Sequence, residues 1–256
     1  MTDTPSADFV QSLARGLAVI RAFDAENPQL SSSEVARRAG IPRAAAGRFL
    51  RTLETLGYVR GDGRLYALTP RVLELGFSYL SALSLPEVVQ PHLERLSRRL
   101  DESVSAAVLD GADIVYVARV PTRRIMSVGI TIGTRFPAYA TSMGRVLLAG
   151  MTDAAAEAAI AASSPRPLTG RTLTDRIALK DELAAVRKQG WAMVDGELEA
   201  GLRSIAAPVH RRDGTVVAAL NVSTSTHRVD EERVLGEYLP ALRETAAAVD
   251  AELRLV

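Results

Sequence analysis

The sequence predicts an α+β protein with two domains, the first a winged helix-turn-helix and the second a mixed α/β domain. Three observations support this prediction. A tight turn near residue 40 breaks the helical periodicity, a hairpin signal follows near residue 62, and strands alternate with helices beyond residue 102. We therefore expect a disordered tail, a winged helix-turn-helix, a linker helix and a second domain over residues 1–9, 10–69, 70–85 and 86–256.

The composition is that of a globular protein: 256 residues, 47% hydrophobic and 24% charged, are enough to build a core. No apolar run approaches the roughly 18 residues of a membrane-spanning helix, and the polar start MTDTPSADF is unlike a signal peptide. With no cysteines, disulfides and thiolate zinc sites are excluded. We expect a cytoplasmic protein without membrane contact.

The first two helices are predicted from periodicity and from a cap. A helix over residues 10–23 places four apolar side chains on a stripe that we expect to face the core: Val10, Leu13, Leu17 and Ile20. NPQLS then breaks the pattern. Ser31 and Glu34 have the spacing of a capping box, which predicts a second helix over residues 32–39.

A third helix is predicted over residues 41–57, after a turn at Gly40 and with Pro42 in its first turn. Its apolar stripe is Phe49, Leu50, Leu53 and Leu56. The opposite face combines small residues with arginines: Ala44, Gly47, Arg48 and Arg51. A glycine within a helix costs about 1 kcal/mol relative to alanine, so the glycine here needs a compensating role.

The charge distribution is local, because the formal net charge is only +1. Residues 35–53 contain no acid and five arginines, namely Arg37, Arg38, Arg43, Arg48 and Arg51. One interpretation is an ordinary solvated helix face. The other is a contact surface for the phosphates of nucleic acid, which the surrounding pattern of elements favours.

Two short strands around Asp62 and Gly63 form a predicted hairpin, which completes the order helix, helix, turn, helix, hairpin. In such a domain the third helix enters the major groove of DNA. Ala44 and Gly47 would allow close approach of the backbone, while Arg48 and Arg51 reach phosphates or guanine edges. Arg64 beside the hairpin turn is a further phosphate contact.

The second domain begins with a helix from Pro86 and continues with strands SVSAAVL and DIVYVARV, and a further strand around RIMSVGI. Helices and strands follow to residue 225, and a closing helix is predicted over residues 230–253. The spacing of its apolar stripe fits packing on the sheet or on a partner chain, and we expect it to pack on the sheet. The stripe consists of Leu235, Leu239, Leu242, Ala246, Val249 and Leu253.

Polar residues interrupt two apolar strands of this domain. Asn221, Ser223 and Ser225 lie at spacing two, on one face of VVAALNVSTS, and Ser204 interrupts RSIAAPV. A buried polar group without a partner costs about 1–3 kcal/mol, so these residues predict a lined cavity. The alternative is that they bond only to neighbouring backbone.

The segment YATSMGR predicts an anion site at a helix start. Thr141 or Ser142 is a suitable N-cap, and the free N–H groups around Ser142, Met143 and Gly144 favour a carboxylate. The alternative is an ordinary cap. Two further residues are expected to wall the cavity, Tyr139 and Met126. Three acids form a patch after WAMV: Asp195, Glu197 and Glu199. At most one of them is expected to orient donors in the cavity, and the others are expected to be solvated.

Catalysis is not supported by the sequence. The three histidines stand apart from any triad spacing, and neither HxH, HExxH nor a glycine-rich phosphate loop occurs. We expect no enzyme activity, no cofactor and no metal. Two alternatives remain open: an enzyme acting on a small organic acid, and a DNA-binding protein without an effector whose second domain only oligomerises.

Three segments resemble the IclR family of bacterial transcriptional regulators. They are RGLAVIRAFDAENPQLSSSEVARRAGIPRAAAGRFLRTLETLGYV, PAYATSMGRVLLAGM and GELEAGLRSIAAPVHRRDGTVVAALNVS. The stretch VARVPTRRIMSVGITIGTRFPAYATSMGRVLLA is similar to the branch that regulates catabolism of protocatechuate, 4-hydroxybenzoate and β-ketoadipate. Where relatives commonly carry Ser or Thr, this helix has Ala44 and Ala45, so base readout is expected to rest more on arginines and DNA shape.

The resemblance implies a curved antiparallel sheet in an effector-binding second domain, and homodimers or dimers of dimers on a palindromic double-stranded DNA operator. It also implies a small carboxylate effector, an aromatic acid in this branch. Family effector contacts would fall at seven positions: Ile125, Ser142, Met143, Asp195, Ser204, Asn221 and Ser223.

Overall fold

The computed structural model describes residues 9–75, 85–122 and 129–254, which fall into two compact units, Met1–Ala82 and Leu83–Val256. Each unit is built around helices and a sheet of its own. In the described part of the chain no helix has the length and apolar character needed to cross a bilayer. The predicted tail, most of the linker helix and most of the strand RIMSVGI lie outside the described residues.

Residues 9–69 of the first unit contain three helices and three short strands in an order that confirms the predicted winged helix-turn-helix, and a 3-10 turn over Pro70–Val72 follows. They are α1 (Gln11–Ile20), β1 (Leu30–Ser31), α2 (Ser32–Ala39), α3 (Arg43–Thr55), β2 (Val59–Gly61) and β3 (Leu65–Leu68). The strands pair antiparallel in the order β1-β3-β2. The wing is therefore a three-stranded sheet, whereas the sequence predicted only its hairpin.

The predicted capping box forms. The Ser31 hydroxyl accepts from the Glu34 backbone N–H at 3.4 Å, and the Glu34 carboxylate accepts from the Ser31 N–H at 2.8 Å. Gly40 ends α2 with φ +65°, a left-handed conformation that glycine adopts without strain. These two devices fix the start and the end of α2.

Two expectations about the core of this unit are wrong. Most of the predicted α1 stripe faces solvent, with Val10 60%, Leu13 63% and Leu17 49% exposed. The core of this unit receives Val19 from α1, and Ala22 and Phe23 from the residues directly after α1. Ile20 is partly buried and packs against this core. On α3, Leu56 is 51% exposed and Ala46 is buried instead. In both helices the burial stripe is rotated because neighbouring helices, not hydrophobicity alone, choose the buried face.

Among the described residues, the second unit carries a six-stranded sheet against which helices pack. Its main helices are α4 (Leu85–Leu100), α5 (Ser142–Ala149), α6 (Asp153–Ser163), α7 (Arg176–Gln189), α8 (Glu231–Arg233) and α9 (Leu239–Leu253). Its strands are β4 (Ser103–Asp110), β5 (Asp113–Val120), β6 (Arg135–Pro137), β7 (Ala192–Asp195), β8 (Leu202–His210) and β9 (Val216–Ser225).

The strand order is β6-β5-β4-β9-β8-β7, with every neighbouring pair antiparallel. A bulge between Ala106 and Ala107 disturbs the register of β4 with β5 and bends the strand. The result confirms the curved antiparallel sheet that the resemblance implies. Helix α5 packs on β8, β9 and β4. Helix α4 packs against β5 and β4, and helix α9 packs against β8 and β9.

The closing helix covers the predicted residues, because the chain is helical from Glu231 to Leu253, but it contains a π-helical turn that the sequence did not predict. Residues Val234–Tyr238 form a π-helical turn between α8 and α9, and Pro240 lies at the start of α9. Proline cannot donate the backbone hydrogen bond that an unbroken α-helix would need there. The turn shifts the buried stripe, so Val234 and Tyr238 are buried where Leu235 and Leu239 were predicted.

Candidate DNA-binding surface and effector site

The outward face of α3 carries the predicted small residues and arginines. Arg43, Ala44, Arg48 and Arg51 are exposed and Gly47 is half-buried, while Ala46, Leu50 and Leu53 are in the core. The Arg51 guanidinium lies over Gly47, where an added Cβ would stand 3.6 Å from Nη1. That distance is an ordinary contact. The free protein therefore has no steric need for glycine at this position.

The other predicted cations have different surroundings. Arg37 is exposed near the end of α2, but Arg38 forms an ion pair with Asp24 and so belongs partly to the fold. At the wing, the Asp62 carboxylate accepts from the backbone N–H groups of Arg64 at 2.8 Å and Leu65 at 2.7 Å. These bonds lower the pKa of Asp62 and fix the turn that exposes Arg64.

Sequence reasoning missed two cations beside this surface. Arg15 of α1 lines a groove with Arg48. Arg60 is exposed on β2, the strand that leads into the wing turn. A helical wheel of α3 alone does not reveal Arg15, because the two helices meet only in the folded domain.

In the second unit, polar side chains gather on the α5-facing side of the sheet. Ser105 of β4 lies opposite Asn221 of β9, and Ser223 lies opposite both Ser103 and Ser204. Residues directly opposite in an antiparallel sheet point to the same face. Ala219, on the same face of β9, belongs to the hydrophobic cluster around α5. We call Ser103, Ser105, Ser204, Asn221 and Ser223 the polar row.

The polar row is partly bonded within itself. The Ser204 and Ser142 hydroxyl oxygens are 2.5 Å apart, which links β8 to the first residue of α5. Asn221 Nδ2 donates to Ser223 Oγ at 2.9 Å, but Asn221 Oδ1 is buried without a partner. Ser142, Asn221 and Ser223 are all buried. The alternative in which these groups bond only to nearby backbone does not account for that free oxygen.

An arginine extends the polar row onto β5. Arg119 lies opposite Ser105 and its Nη1 donates to Ser105 Oγ at 3.0 Å, whereas its Nε is buried without a partner. Burial lowers the pKa of Arg119 and raises the pKa of neighbouring Tyr116 to about 12. Both shifts have desolvation as their main cause, and Arg119 is half-buried, so this end of the polar row is partly shielded from water.

The helix start at α5 is a closed cap. Thr141 Oγ1 accepts from the Gly144 N–H at 3.1 Å, and a Cβ on Gly144 would lie 2.1 Å from the Ala138 carbonyl oxygen. Met143 is 1% exposed. The Tyr139 hydroxyl donates to the Arg166 carbonyl oxygen at 2.9 Å. Gly144, Met143 and Tyr139 therefore pack the helix start, and Ser142 alone contacts the polar row through its side chain.

The acidic patch is not solvated, contrary to expectation. Glu197 is 9% exposed and accepts from Arg145 at 2.6 Å and from the Leu173 N–H at 2.8 Å. Asp195 lies opposite Arg203 and bonds to it at 3.0 Å, one residue out of phase with Ser204. Asp195 thus stands apart from the polar row. The two remaining predicted contacts, Ile125 and Met126, lie outside the described residues.

Sequence reasoning also missed Ser103, Ser105 and Arg119. The signal was present, because Ser103 and Ser105 share the spacing of two seen in Asn221 and Ser223, and Arg119 is a lone charge in an apolar strand. Only strand pairing reveals that these residues and Asn221 share one face. In the part of the chain that the structure describes, no group of three histidine, aspartate or glutamate residues is arranged to hold a metal ion.

Comparison with known proteins covers both units. Residues 12–63 match the IclR helix-turn-helix domain and residues 77–251 match the C-terminal domain of the bacterial transcriptional regulator IclR. The Pca regulon regulatory protein of Pseudomonas putida is 47% identical over 240 residues, which cover 93% of this chain and 82% of the relative.

Two crystal structures are similar over nearly the whole chain. One, from Rhodococcus sp. RHA1, is 57% identical with a TM-score of 0.87 and covers 96% of this chain and 98% of its own. The other is an IclR homolog from Microbacterium hydrocarbonoxydans complexed with 4-hydroxybenzoate. It is 30% identical with a TM-score of 0.85 and covers 96% of this chain and 100% of its own.

Proposed function

Because the chain belongs to the IclR family of bacterial transcriptional regulators, we propose that it is a DNA-binding regulator of aromatic-acid catabolism, with a small aromatic carboxylate as effector. The observation that carries the effector half of this proposal is the polar row, which is buried yet leaves Asn221 Oδ1 without a partner. A buried acceptor of this kind is stabilised when a ligand supplies the missing donor.

The DNA-binding half of the proposal rests on the exposed face of α3. Arg43, Arg48 and Arg51 reach phosphates or guanine edges, Arg64 and Arg37 contribute phosphate contacts, and Ala44 and Gly47 allow close approach of the helix. Arg38 contributes less, since Asp24 already neutralises it. The effector lies against Ser142, Ser204, Asn221 and Ser223, with Ile125 and Met126 as further contacts. Tyr139, Met143 and Gly144 support the site by packing the helix start behind Ser142, and Asp195 lies on the other face of the sheet.

We further propose a homodimer, or a dimer of dimers, on a palindromic operator, working in the cytoplasm. A two-fold operator requires two copies of the winged domain at a fixed spacing. The exposed stripe of Val10, Leu13 and Leu17 on α1 supplies an apolar surface suited to a second copy of the chain. Effector binding acts by favouring one arrangement of the paired winged domains.

The test combines binding and response with the full-length protein. Fluorescence anisotropy on the promoter DNA beside the gene should show saturable binding at low salt that changes on addition of 4-hydroxybenzoate, protocatechuate or β-ketoadipate. Differential scanning fluorimetry should show stabilisation by at least one of these acids. If the protein does not bind the DNA, the proposal of a DNA-binding regulator is wrong. If it binds DNA but no acid stabilises it or changes that binding, a regulator without effector is favoured.

A further inference from the structure

The described residues contain one cation at the polar row, and it lacks a counter-charge. Among them no carboxylate forms an ion pair with Arg119, and only Tyr116 contributes a charge interaction to it. The neighbouring residues 123–128, outside the described residues, have the sequence RRIMSV, which contains no acid. A partly shielded guanidinium without a carboxylate is costly for the folded protein. Such a site is therefore suited to an anion from outside the chain.

Arg119 lies in line with a second side chain that lacks a hydrogen-bond partner, Asn221. Ser105 lies opposite Arg119 on one side and opposite Asn221 on the other, so the three form one line across β5, β4 and β9. Asn221 uses one end of its amide on Ser223. When the amide is turned so that its oxygen accepts from the Ser223 hydroxyl, its N–H groups are free to donate to a carboxylate.

We propose that Arg119 anchors the carboxylate of the effector, with Ser105 and the free end of Asn221 beside it. This inference rests on the proposed function and deepens it. It differs from an anion site at the start of α5, where the Gly144 N–H is already bonded to Thr141 and the Ala138 backbone closes the approach.

The spacing of the strands indicates which acids fit. Neighbouring strands are about 4.8 Å apart and Ser204 lies two residues along the strands from the line of Ser105 and Asn221, so Ser105 and Ser204 are separated by about 12 Å. One aromatic ring with a polar group at each end, hydrogen-bonded at both ends, spans such a gap. The second end of the polar row, Ser142 and Ser204, offers hydroxyls and no cation. A monocarboxylate with a ring hydroxyl opposite is therefore preferred over a dicarboxylate.

The test is calorimetric titration of the full-length protein with 4-hydroxybenzoate and with its neutral amide, 4-hydroxybenzamide. Wild-type protein should bind the acid at least tenfold more tightly than the amide. Arg119→Gln should weaken acid binding about 30-fold and bring acid and amide within threefold of each other, because a charge-assisted bond is lost. Arg119→Lys should retain part of the preference.

The matched control is Arg135→Gln, since Arg135 is an exposed arginine of the neighbouring strand, paired with Asp110 and Asp113. It should leave both affinities unchanged. Arg119→Met serves in case Arg119→Gln does not fold. If the folded Arg119 variants keep the wild-type preference for acid over amide, the anchor is elsewhere while the effector proposal stands. If wild-type protein binds no hydroxybenzoate, the effector proposal itself fails.

Discussion

Ser142 Oγ lies 2.5 Å from Ser204 Oγ, so a hydrogen bond joins the first residue of α5 to β8, the strand beside the edge strand β7 of the six-stranded sheet. Ser142 is fully buried, whereas Ser204 is half-buried. A ligand lying along the polar row would reach this pair from the Ser204 side. The bond is therefore placed where ligand binding can change the contact between helix and sheet.

We expect Ser204→Val to abolish the effector response and to leave operator binding intact. The added methyl groups remove the bond to Ser142 and occupy the end of the polar row, so acid binding should weaken more than about tenfold, or 1.4 kcal/mol. Ser204→Ala, which removes the hydroxyl without adding bulk, should keep a weakened response. An undiminished thermal shift with Ser204→Val would place the effector elsewhere.

Asn221→Leu should stabilise the protein while impairing its response. The substitution keeps the branched skeleton of the side chain and removes a buried oxygen without a partner, whose desolvation costs about 1–3 kcal/mol. Urea denaturation without ligand should show a rise of about 1 kcal/mol in the free energy of unfolding. Gln29→Leu, which replaces an exposed amide side chain of the first unit, is the control. A loss of stability together with unchanged acid binding would contradict a ligand role for Asn221.

Arg48→Ala and Arg51→Ala should each weaken operator binding and its dependence on salt. For two copies on one operator, loss of one phosphate contact per copy lowers the slope of log K against log salt by about 1.8. Anisotropy titrations between low and moderate salt measure this slope. Arg98→Ala, which removes an exposed arginine of the second unit, is the control. Unchanged affinity and slope in both variants would exclude α3 from the groove.

Gly47→Ala should raise stability and lower operator affinity. An added methyl group meets only the Arg51 guanidinium at 3.6 Å, so α3 should gain about 0.4–1 kcal/mol. In the complex the same methyl group separates the helix from the DNA backbone. Gly16→Ala on α1, where the new contact is Phe49 at 3.8 Å, should stabilise without loss of affinity. Equal affinities for the two variants would remove the close-approach role of Gly47.

Gly144→Ala should have the opposite effect on stability, although it is also a glycine within a helix. Its Cβ would stand 2.1 Å from the Ala138 carbonyl oxygen and 2.5 Å from the carbonyl carbon, both of them backbone atoms. We expect a loss of about 3 kcal/mol or more, since backbone cannot yield as a flexible side chain does. Chemical denaturation monitored by circular dichroism measures it, and a loss below 1 kcal/mol would contradict the close packing.

Local signals in the sequence predicted most elements. The capping box of Ser31 and Glu34 marked α2 to the residue, and period-two alternation found β4, β5, β8 and β9. These features depend on neighbours in sequence. Strand β1 was not predicted because two residues carry no periodicity, and its partner Tyr66 lies 36 positions from Leu30. The π-helical turn before α9 was not predicted, although Pro240 lies just after it.

The candidate site was predicted only in part, because some of its residues give a local signal in the sequence and others join the site only through strand pairing. Ser204, Asn221 and Ser223 interrupt apolar strands, which is visible in sequence, and the structure brings them onto one face with Ser142. Arg119 and Ser105 join them only through the pairing of β5, β4 and β9. The buried ion pair of Arg145 and Glu197 spans 52 positions, so nothing local distinguished Glu197 from a solvated loop charge.

Strand β1 ties the wing to the helices. Its last residue, Ser31, is at once the partner of Leu65 in β3 and the cap of α2. A displacement of the wing tip therefore pulls directly on the helix that precedes α3. We therefore expect the hairpin and α3 to move together when the domain binds DNA, so that both should contact the duplex or leave it in one step.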